Sequence, residues 1–179
     1  MIPAGYMAKF VATRPDWLGA IGVDDIYSVS GCVSRCFADY YDVWKHNGFW
    51  LFDSTDVIRQ LAFEKAVDLR DAKFFYYEVY EQQFDDGGNE EAVQTADLHF
   101  ALNVSMPQTK NLEGFDVVTF YAGAGPECSP LSCNSLAGKH DVNRHCLFAS
   151  LDEAIVQLKN GFFKDSEPGP YRIFSVYSV

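Results

Sequence analysis

The chain has 179 residues and a formal net charge of −11, from 14 Lys and Arg against 25 Asp and Glu. A surface this acidic repels phosphates and anionic lipid headgroups, so we expect neither nucleic acid nor a membrane as a direct partner. The sequence contains no run of 18 apolar residues, the length needed to cross a bilayer. Residues 1–10 lack the basic and apolar parts of a signal peptide. Five cysteines, an odd number, favour reduced thiols in the cytoplasm over a secreted disulfide framework.

The first half of the chain is predicted to alternate between short strands and two helices. In chain order these are a strand at 6–11, a strand at 26–30, a helix from Ser34 to Asn47-Gly48, an extended piece at 49–52 and a helix at 53–65. Aromatic residues at helical spacing define the first helix, and Asn47-Gly48 is typical of a helix end. The second helix has capping oxygens at residues 53–56 and an apolar face that includes Val57 and Ile58.

The second half of the chain has the strongest strand and helix signals. It is predicted to contain a strand at 74–84, a polar loop at 85–96, strands at 98–104 and 117–121, a helix after Ser150 and a strand at 171–179. Residues 74–84 are long and aromatic, as strands often are. Ser150 and Glu153 form a capping box. One face of the helix that follows carries the apolar residues Leu151, Ala154, Ile155 and Leu158.

These elements indicate an α+β fold in a single domain over residues 1–179. Strands outnumber helices and arrive in clusters instead of alternating strictly with helices, which favours antiparallel pairing. We therefore expect a mostly antiparallel sheet of about six strands with about three helices packed on it. A chain of this length can bury a substantial core without disulfides or metals.

Residues 114–149 hold three of the five cysteines and two of the four histidines, more possible chemistry than any other stretch. One interpretation is a cysteine-dependent enzyme in which Cys133 or Cys128 is the nucleophile and His140 or His145 the base. The spacing does not decide this, because catalytic partners are brought together by the fold.

Two local features would support such an enzyme. Ser132 could cap a short helix that begins near Cys133, where the helix dipole would lower the pKa of the thiol. Gly123 and Gly125 would let backbone N–H groups approach a substrate oxyanion or phosphate. Pro126 and the absence of a third glycine exclude a dinucleotide-binding fingerprint.

A structural zinc site is the alternative for the same segment. The candidate ligands are Cys128, Cys133, His140, His145 and Cys146. Their spacing lacks the second closely spaced pair of established zinc frameworks, so we expect no metal and no other cofactor. We expect Cys32 and Cys36, a C-x3-C pair one residue longer than the redox spacing, to be core residues, since free cysteine is commonly buried.

Acidic residues are concentrated between Lys73 and Lys110, where there is no other Lys or Arg. That segment carries Glu78, Glu81, Asp85, Asp86, Glu90, Glu91 and Asp97. Charge runs are usually solvated loops. The functional interpretation is an acidic, tyrosine-rich face that docks a basic protein, with Tyr77 or Tyr80, whichever faces outward, as its anchor. The charged part of this face would be formed by Asp85, Asp86, Glu90 and Glu91.

Composition and charge thus favour a small acidic protein that binds another protein, in the manner of an inhibitor or an immunity protein. The Cys/His enzyme and the zinc site are the two alternatives.

Overall fold

The computed structural model of the protein describes residues 1–37, 47–93, 103–121 and 126–179. Its strands are β1 (Ile2–Phe10), β2 (Arg35–Cys36), β3 (Lys73–Phe84), β4 (Glu90–Ala92), β5 (Asn111–Thr119) and β6 (Tyr171–Ser178). Its helices are α1 (Thr55–Glu64), α2 (Pro130–Cys133) and α3 (Leu151–Lys159), with 3-10 turns at Asp16–Leu18 and Leu136–Lys139.

All six strands belong to one antiparallel sheet. Its order is β2-β1-β3-β6-β5, and β4 pairs with the far end of β3. The central strands β3 and β6 are joined over most of their length, from Phe75 opposite Ser178 to Phe84 opposite Tyr171. This sheet with its three helices confirms the predicted α+β fold.

Apolar side chains on the two faces of the sheet form two cores. Ile173 of β6 packs in one core with Leu158 of α3, and the next residue, Phe174, packs in the other core with Leu61 of α1. Successive residues of a strand point to opposite faces, so α1 and α3 cover opposite sides of the sheet. Within the part of the chain that the structure describes, no helix has the length and apolar character needed to cross a membrane.

Both long helices begin at the caps that the sequence predicts. The Ser54 hydroxyl accepts the Val57 N–H at 3.3 Å, and the Ser150 hydroxyl accepts the Glu153 N–H at 3.2 Å. Each cap satisfies an amide that has no partner within its own helix, which is why Ser is preferred there.

Two predictions in the first half are wrong. Residues 26–30 form no strand, because the N–H groups of Ile26 and Tyr27 bond to carbonyls of two different segments and the backbone of 28–30 bonds to side chains such as Lys9 and Asp116. Arg35–Cys36 is a strand paired with β1, not the first turn of a helix. The remainder of that predicted helix, at 38–46, and most of the predicted strand at 98–104 lie outside the described residues.

Gly114 lets a loop approach β5 more closely than any side chain would allow. A Cβ at this position would lie 2.7 Å from the Phe148 carbonyl oxygen and 2.8 Å from the Leu147 Cβ. The backbone is also at φ +147°, which L residues rarely adopt. The segment that carries His145 and Cys146 is thereby packed directly on the sheet.

Leu158→Ala should lower the free energy of unfolding by about 2–5 kcal/mol, because it leaves a cavity between α3 and the sheet. Leu158 is buried, whereas Val156 on the same helix is 51% exposed, so Val156→Ala is the matched control and should change stability by less than about 0.5 kcal/mol. Urea denaturation of both variants measures this. Equal effects would show that the buried face of α3 is assigned wrongly.

Candidate thiolate site

Three cysteine side chains from distant parts of the chain meet at one place. The sulfurs of Cys32, Cys128 and Cys133 all lie within 4.8 Å of one another. Cys32 is exposed, Cys133 is half-buried and Cys128 is buried. The cluster is therefore open to solvent on the side of Cys32. All five cysteines of the chain are free thiols.

A buried lysine side chain holds the loop that leads to Cys32. The ammonium group of Lys9, on β1, donates to the carbonyl oxygens of Ser28, Val29 and Ser30, the second of these at 3.1 Å. Lys9 is fully buried, and an ammonium has three N–H donors, so these three acceptors satisfy it completely. An irregular passage is thus stabilised where the sequence predicts a strand.

Asp116, on β5, ties this loop to the segment that carries the other two cysteines. Its Oδ2 accepts the Val29 N–H and the Ser129 hydroxyl, both at 2.7 Å. The Ser129 hydroxyl in turn accepts the Ser30 N–H at 3.4 Å. One buried carboxylate therefore sets the distance between the two chain segments, whose sequence positions differ by about a hundred residues.

Cys128 and Cys133 are placed by an extension of β5 and by α2. The Thr119 N–H donates to the Cys128 carbonyl at 2.9 Å, and the Cys128 N–H donates to the Thr119 hydroxyl at 3.2 Å. The Cys133 N–H donates to the Ser129 carbonyl at 2.8 Å, which closes the single turn of α2. Cys133 is the last residue of α2. The prediction that it begins a helix and gains thiolate character from the dipole is wrong.

The sulfurs have polar neighbours. Cys32 donates to the Glu127 carbonyl at 3.2 Å, and Cys128 donates to the side-chain oxygen of Asn134 at 3.1 Å. The Ser30 hydroxyl lies 3.6 Å from the Cys133 sulfur.

The three sulfurs lie close enough together for their titrations to be coupled. Hydrogen bonds from Cys128 and Cys133, followed by a smaller attraction to Lys9, hold the pKa of Cys32 far below its usual value. The pKa of Cys128 is raised because its proton is held between Cys133 and Cys32, and burial adds to this. The first thiolate of the cluster is therefore the exposed one.

Opposing influences act on the pKa of the Asp116 carboxyl group. Burial raises its pKa to about 6, although hydrogen bonds from Ser129 and Val29 and the charge of Lys9 act in the other direction. A buried charge is costly unless it is paired, and here the nearest positive charge is already shared among three carbonyls.

Of the predicted catalytic residues, Cys133 and Cys128 come together but His140 and His145 do not join them. Neither imidazole hydrogen-bonds to any of the described cysteines. His140 packs edge-on against Phe162, with ring centroids 3.6 Å apart, and burial lowers its pKa. Gly123 and Gly125, expected near an oxyanion, lie outside the described residues.

His145 belongs to a separate polar cluster. Its Nδ1 is bonded to the Asp25 carboxylate, its Nε2 lies 3.6 Å from the Glu113 carboxylate, and its ring stacks on Tyr27 at 4.0 Å. An imidazole between two carboxylates is oriented by both, but no described nucleophile stands beside it. Cys146, the fifth candidate zinc ligand, is buried in the core under α3, and burial raises the pKa of its thiol.

Sequence reasoning missed Cys32, which it assigned to the core. The useful signal was its setting: Ser28, Ser30 and Gly31 surround it, and small polar residues are unusual around a core cysteine. Nothing in the spacing indicates that this loop meets residues 128–133. Cys36, the other member of that pair, is buried as expected.

The predicted acidic face is partly occupied by contacts within the protein. Asp85 accepts the N–H groups of Gly87 and Asn89 in its own turn, and Asp86 accepts the Gly169 N–H at 2.7 Å. Glu90 pairs with Lys159 at 3.0 Å. These carboxylates thus stabilise the β3–β4 turn and its packing against the chain near α3.

Of the two candidate anchors, Tyr77 is completely buried and cannot touch a partner, whereas Tyr80 is half-buried and packs near Phe84. Glu91 is exposed on β4. Binding of a basic protein through Tyr80 and Glu91 remains a prediction. Asp97, the last acidic residue of the segment, lies outside the described residues.

Comparisons with models of known protein families, with curated proteins and with solved structures find no match to this chain.

The pKa of Asp116 predicts a specific pH dependence of stability. Its pKa is about 6 when folded and about 3.8 when unfolded, so between these values the folded state binds more protons and stability falls as pH rises. Asp116→Asn removes this pH-dependent contribution to stability. The stability of the natural protein minus that of the variant should fall by about 3 kcal/mol from pH 3.5 to 7.

Urea denaturation at a series of pH values measures this difference. Asp71→Asn, the same substitution at an exposed position, is the control. A pH-independent difference for Asp116→Asn would contradict the raised pKa.

Proposed function

We propose that the protein binds a soft metal ion, Zn²⁺ in the first instance, through the thiolates of Cys32, Cys128 and Cys133. The observation that supports this is the convergence of three sulfurs within 4.8 Å from two segments that are far apart in sequence. Thiolates are the ligands that select Zn²⁺ and Cu⁺ over harder cations.

The spacing of the sulfurs is close to that of a bound state. Zn–S bonds of about 2.3 Å in a tetrahedral site place sulfurs about 3.8 Å apart. No pair of sulfurs would have to close by more than about 1 Å, and Cys32 is the exposed member of the set. Movement of its side chain alone would leave the Lys9 and Asp116 contacts of the preceding loop intact.

The charges also support a divalent ion. Three thiolates carry −3, Zn²⁺ supplies +2, and the buried ammonium of Lys9 acts on the same cluster. The ion and Lys9 thus offset the charge of the thiolates and leave only the carboxylate of Asp116, which bonds to the same loop, and this reduces the cost of a partly buried site. Binding must displace the protons of Cys128 and Cys133, so affinity should rise with pH through the titration of these thiols.

Three protein ligands leave a fourth position for water or an external ligand. Zinc sites that keep such a position are usually catalytic, whereas purely structural sites are closed by four protein ligands. The exposed side at Cys32 would give small molecules access to that position.

The test uses the reduced, chelator-treated protein and titration with Co²⁺, which shows thiolate charge-transfer bands when bound by sulfur. Zn²⁺ added afterwards should displace Co²⁺ and remove the bands. Cys32→Ser, Cys128→Ser and Cys133→Ser should each weaken Zn²⁺ binding by more than about tenfold, a free-energy loss above about 1.4 kcal/mol.

Cys146→Ser and Cys36→Ser are the matched controls, because both cysteines are buried outside the cluster. They should bind Co²⁺ and Zn²⁺ as the natural protein does. Absence of thiolate bands, or an equal loss in the controls, would refute the metal site.

A further inference from the structure

We infer that the metal-free site reacts with hydroperoxides: Cys32 is the nucleophile, and one of its two neighbours, Cys128 or Cys133, converts the product into a disulfide. This activity goes beyond metal binding. It uses the same three sulfurs but requires no metal, so either proposal can fail while the other stands.

The argument begins with access. Cys32 is exposed, whereas Cys128 is buried and Cys133 half-buried, so a reagent from solvent meets Cys32 first. A hydroperoxide is small enough to reach a sulfur that sits in a loop against the Glu127 carbonyl. Cys36 and Cys146 are buried in the two cores and should be unreactive.

The second step concerns thiolate character. The thiolate and not the thiol is the nucleophile, and S–H groups of neighbouring cysteines together with a nearby ammonium stabilise it. The sulfurs of Cys128 and Cys133 both lie within 4.8 Å of the Cys32 sulfur, so their S–H groups are in position to turn towards a thiolate formed there. Lys9 is held by three carbonyls, so its position is fixed.

The chemistry balances within the cluster. The Cys32 thiolate attacks the terminal oxygen of ROOH; an S–O bond forms, the O–O bond breaks, and RO⁻ leaves. RO⁻ takes the proton of the Cys128 or Cys133 thiol, which becomes a thiolate. That thiolate attacks the sulfenic sulfur of Cys32, the S–S bond forms, and hydroxide leaves and is protonated by solvent. Two thiols and ROOH thus give one disulfide, ROH and water.

The distances fit the second attack. Both neighbouring sulfurs lie within 4.8 Å of Cys32, so a disulfide of about 2.05 Å requires only side-chain rotation and a small loop shift. The Ser30 hydroxyl, 3.6 Å from the Cys133 sulfur, is a further polar group beside the sulfurs between which the negative charge moves.

The first experiment uses the natural, reduced protein in a chelator and one equivalent of H₂O₂ at neutral pH. Intact mass should fall by about 2 Da, the mass of two hydrogens. Peptide mapping should locate the disulfide between Cys32 and Cys128 or between Cys32 and Cys133. The folded protein should form this disulfide at least about tenfold faster than the same protein unfolded in urea, because unfolding separates Cys32 from the two sulfurs beside it.

A second experiment traps the intermediate. In a Cys128→Ser, Cys133→Ser double variant, Cys32 should accumulate as a sulfenic acid that dimedone labels, while Cys36 and Cys146 remain unlabelled. The disulfide map of the natural protein stands as evidence even if this variant folds poorly. A disulfide that excludes Cys32, oxidation of Cys36 or Cys146 at the same rate, or no acceleration over the unfolded protein would overturn the inference.

Co²⁺ titration of the same reduced protein, after removal of the chelator, separates the two proposals. Thiolate bands without a peroxide-induced disulfide would leave only the metal site, and the disulfide without the bands would leave only the peroxide reaction.

Discussion

The thiol cluster depends on one buried carboxylate. Asp116 accepts hydrogen bonds from Val29 on one segment and Ser129 on another, so it joins the loop before Cys32 to the residues that carry Cys128 and Cys133. Lys9 completes the arrangement, because it satisfies the carbonyl oxygens of the same loop from the other side. Irregular backbone is rarely buried unless its polar groups find such partners. The sheet supplies both side chains, Lys9 from β1 and Asp116 from β5, and this gives the loop one conformation.

The same physical property underlies both proposed uses of the cluster. Three sulfurs lie close together, and a thiolate formed at one of them can accept hydrogen bonds from the S–H groups of the others. A metal ion can bind the electron pairs of all three sulfurs, or an oxidant can take electrons from two of them. The two processes exclude each other, because a disulfide has no thiolate left to coordinate and a coordinated thiolate is less available for attack. Because Cys32 is exposed and Cys128 is buried, a metal ion or an oxidant from solvent reaches the Cys32 sulfur first.

Several of the described acidic residues at one end of the sheet make contacts within the protein, besides the binding role that their density predicts. Asp85 completes a turn, Asp86 holds the Gly169 N–H, and Glu90 pairs with Lys159 of α3. Carboxylates that satisfy backbone amides in turns are common and require no partner. A cluster of like charges in a sequence therefore says little about binding until the contacts of each residue are known. A cluster of three cysteine sulfurs that is open to solvent at Cys32 is less common than a group of solvated carboxylates, and packing alone explains it less well.

Local sequence determined the elements whose signals are local. Caps at Ser54 and Ser150, the helical apolar face that ends at Leu158 and the aromatic strand β3 all follow from interactions between residues a few positions apart. The fold class followed as well, because clustered strands favour antiparallel pairing. Cys32 could not be placed in the same way. Its neighbours in the cluster are fixed by Lys9 on β1 and Asp116 on β5, which are distant in the chain and adjacent only after the sheet has formed. Likewise, burial of Tyr77 and separation of His145 from the thiols were decided by which face of the sheet and which loop each residue occupies. Hydrogen bonds from buried charges to irregular backbone have no periodicity, so only the tertiary structure could reveal them.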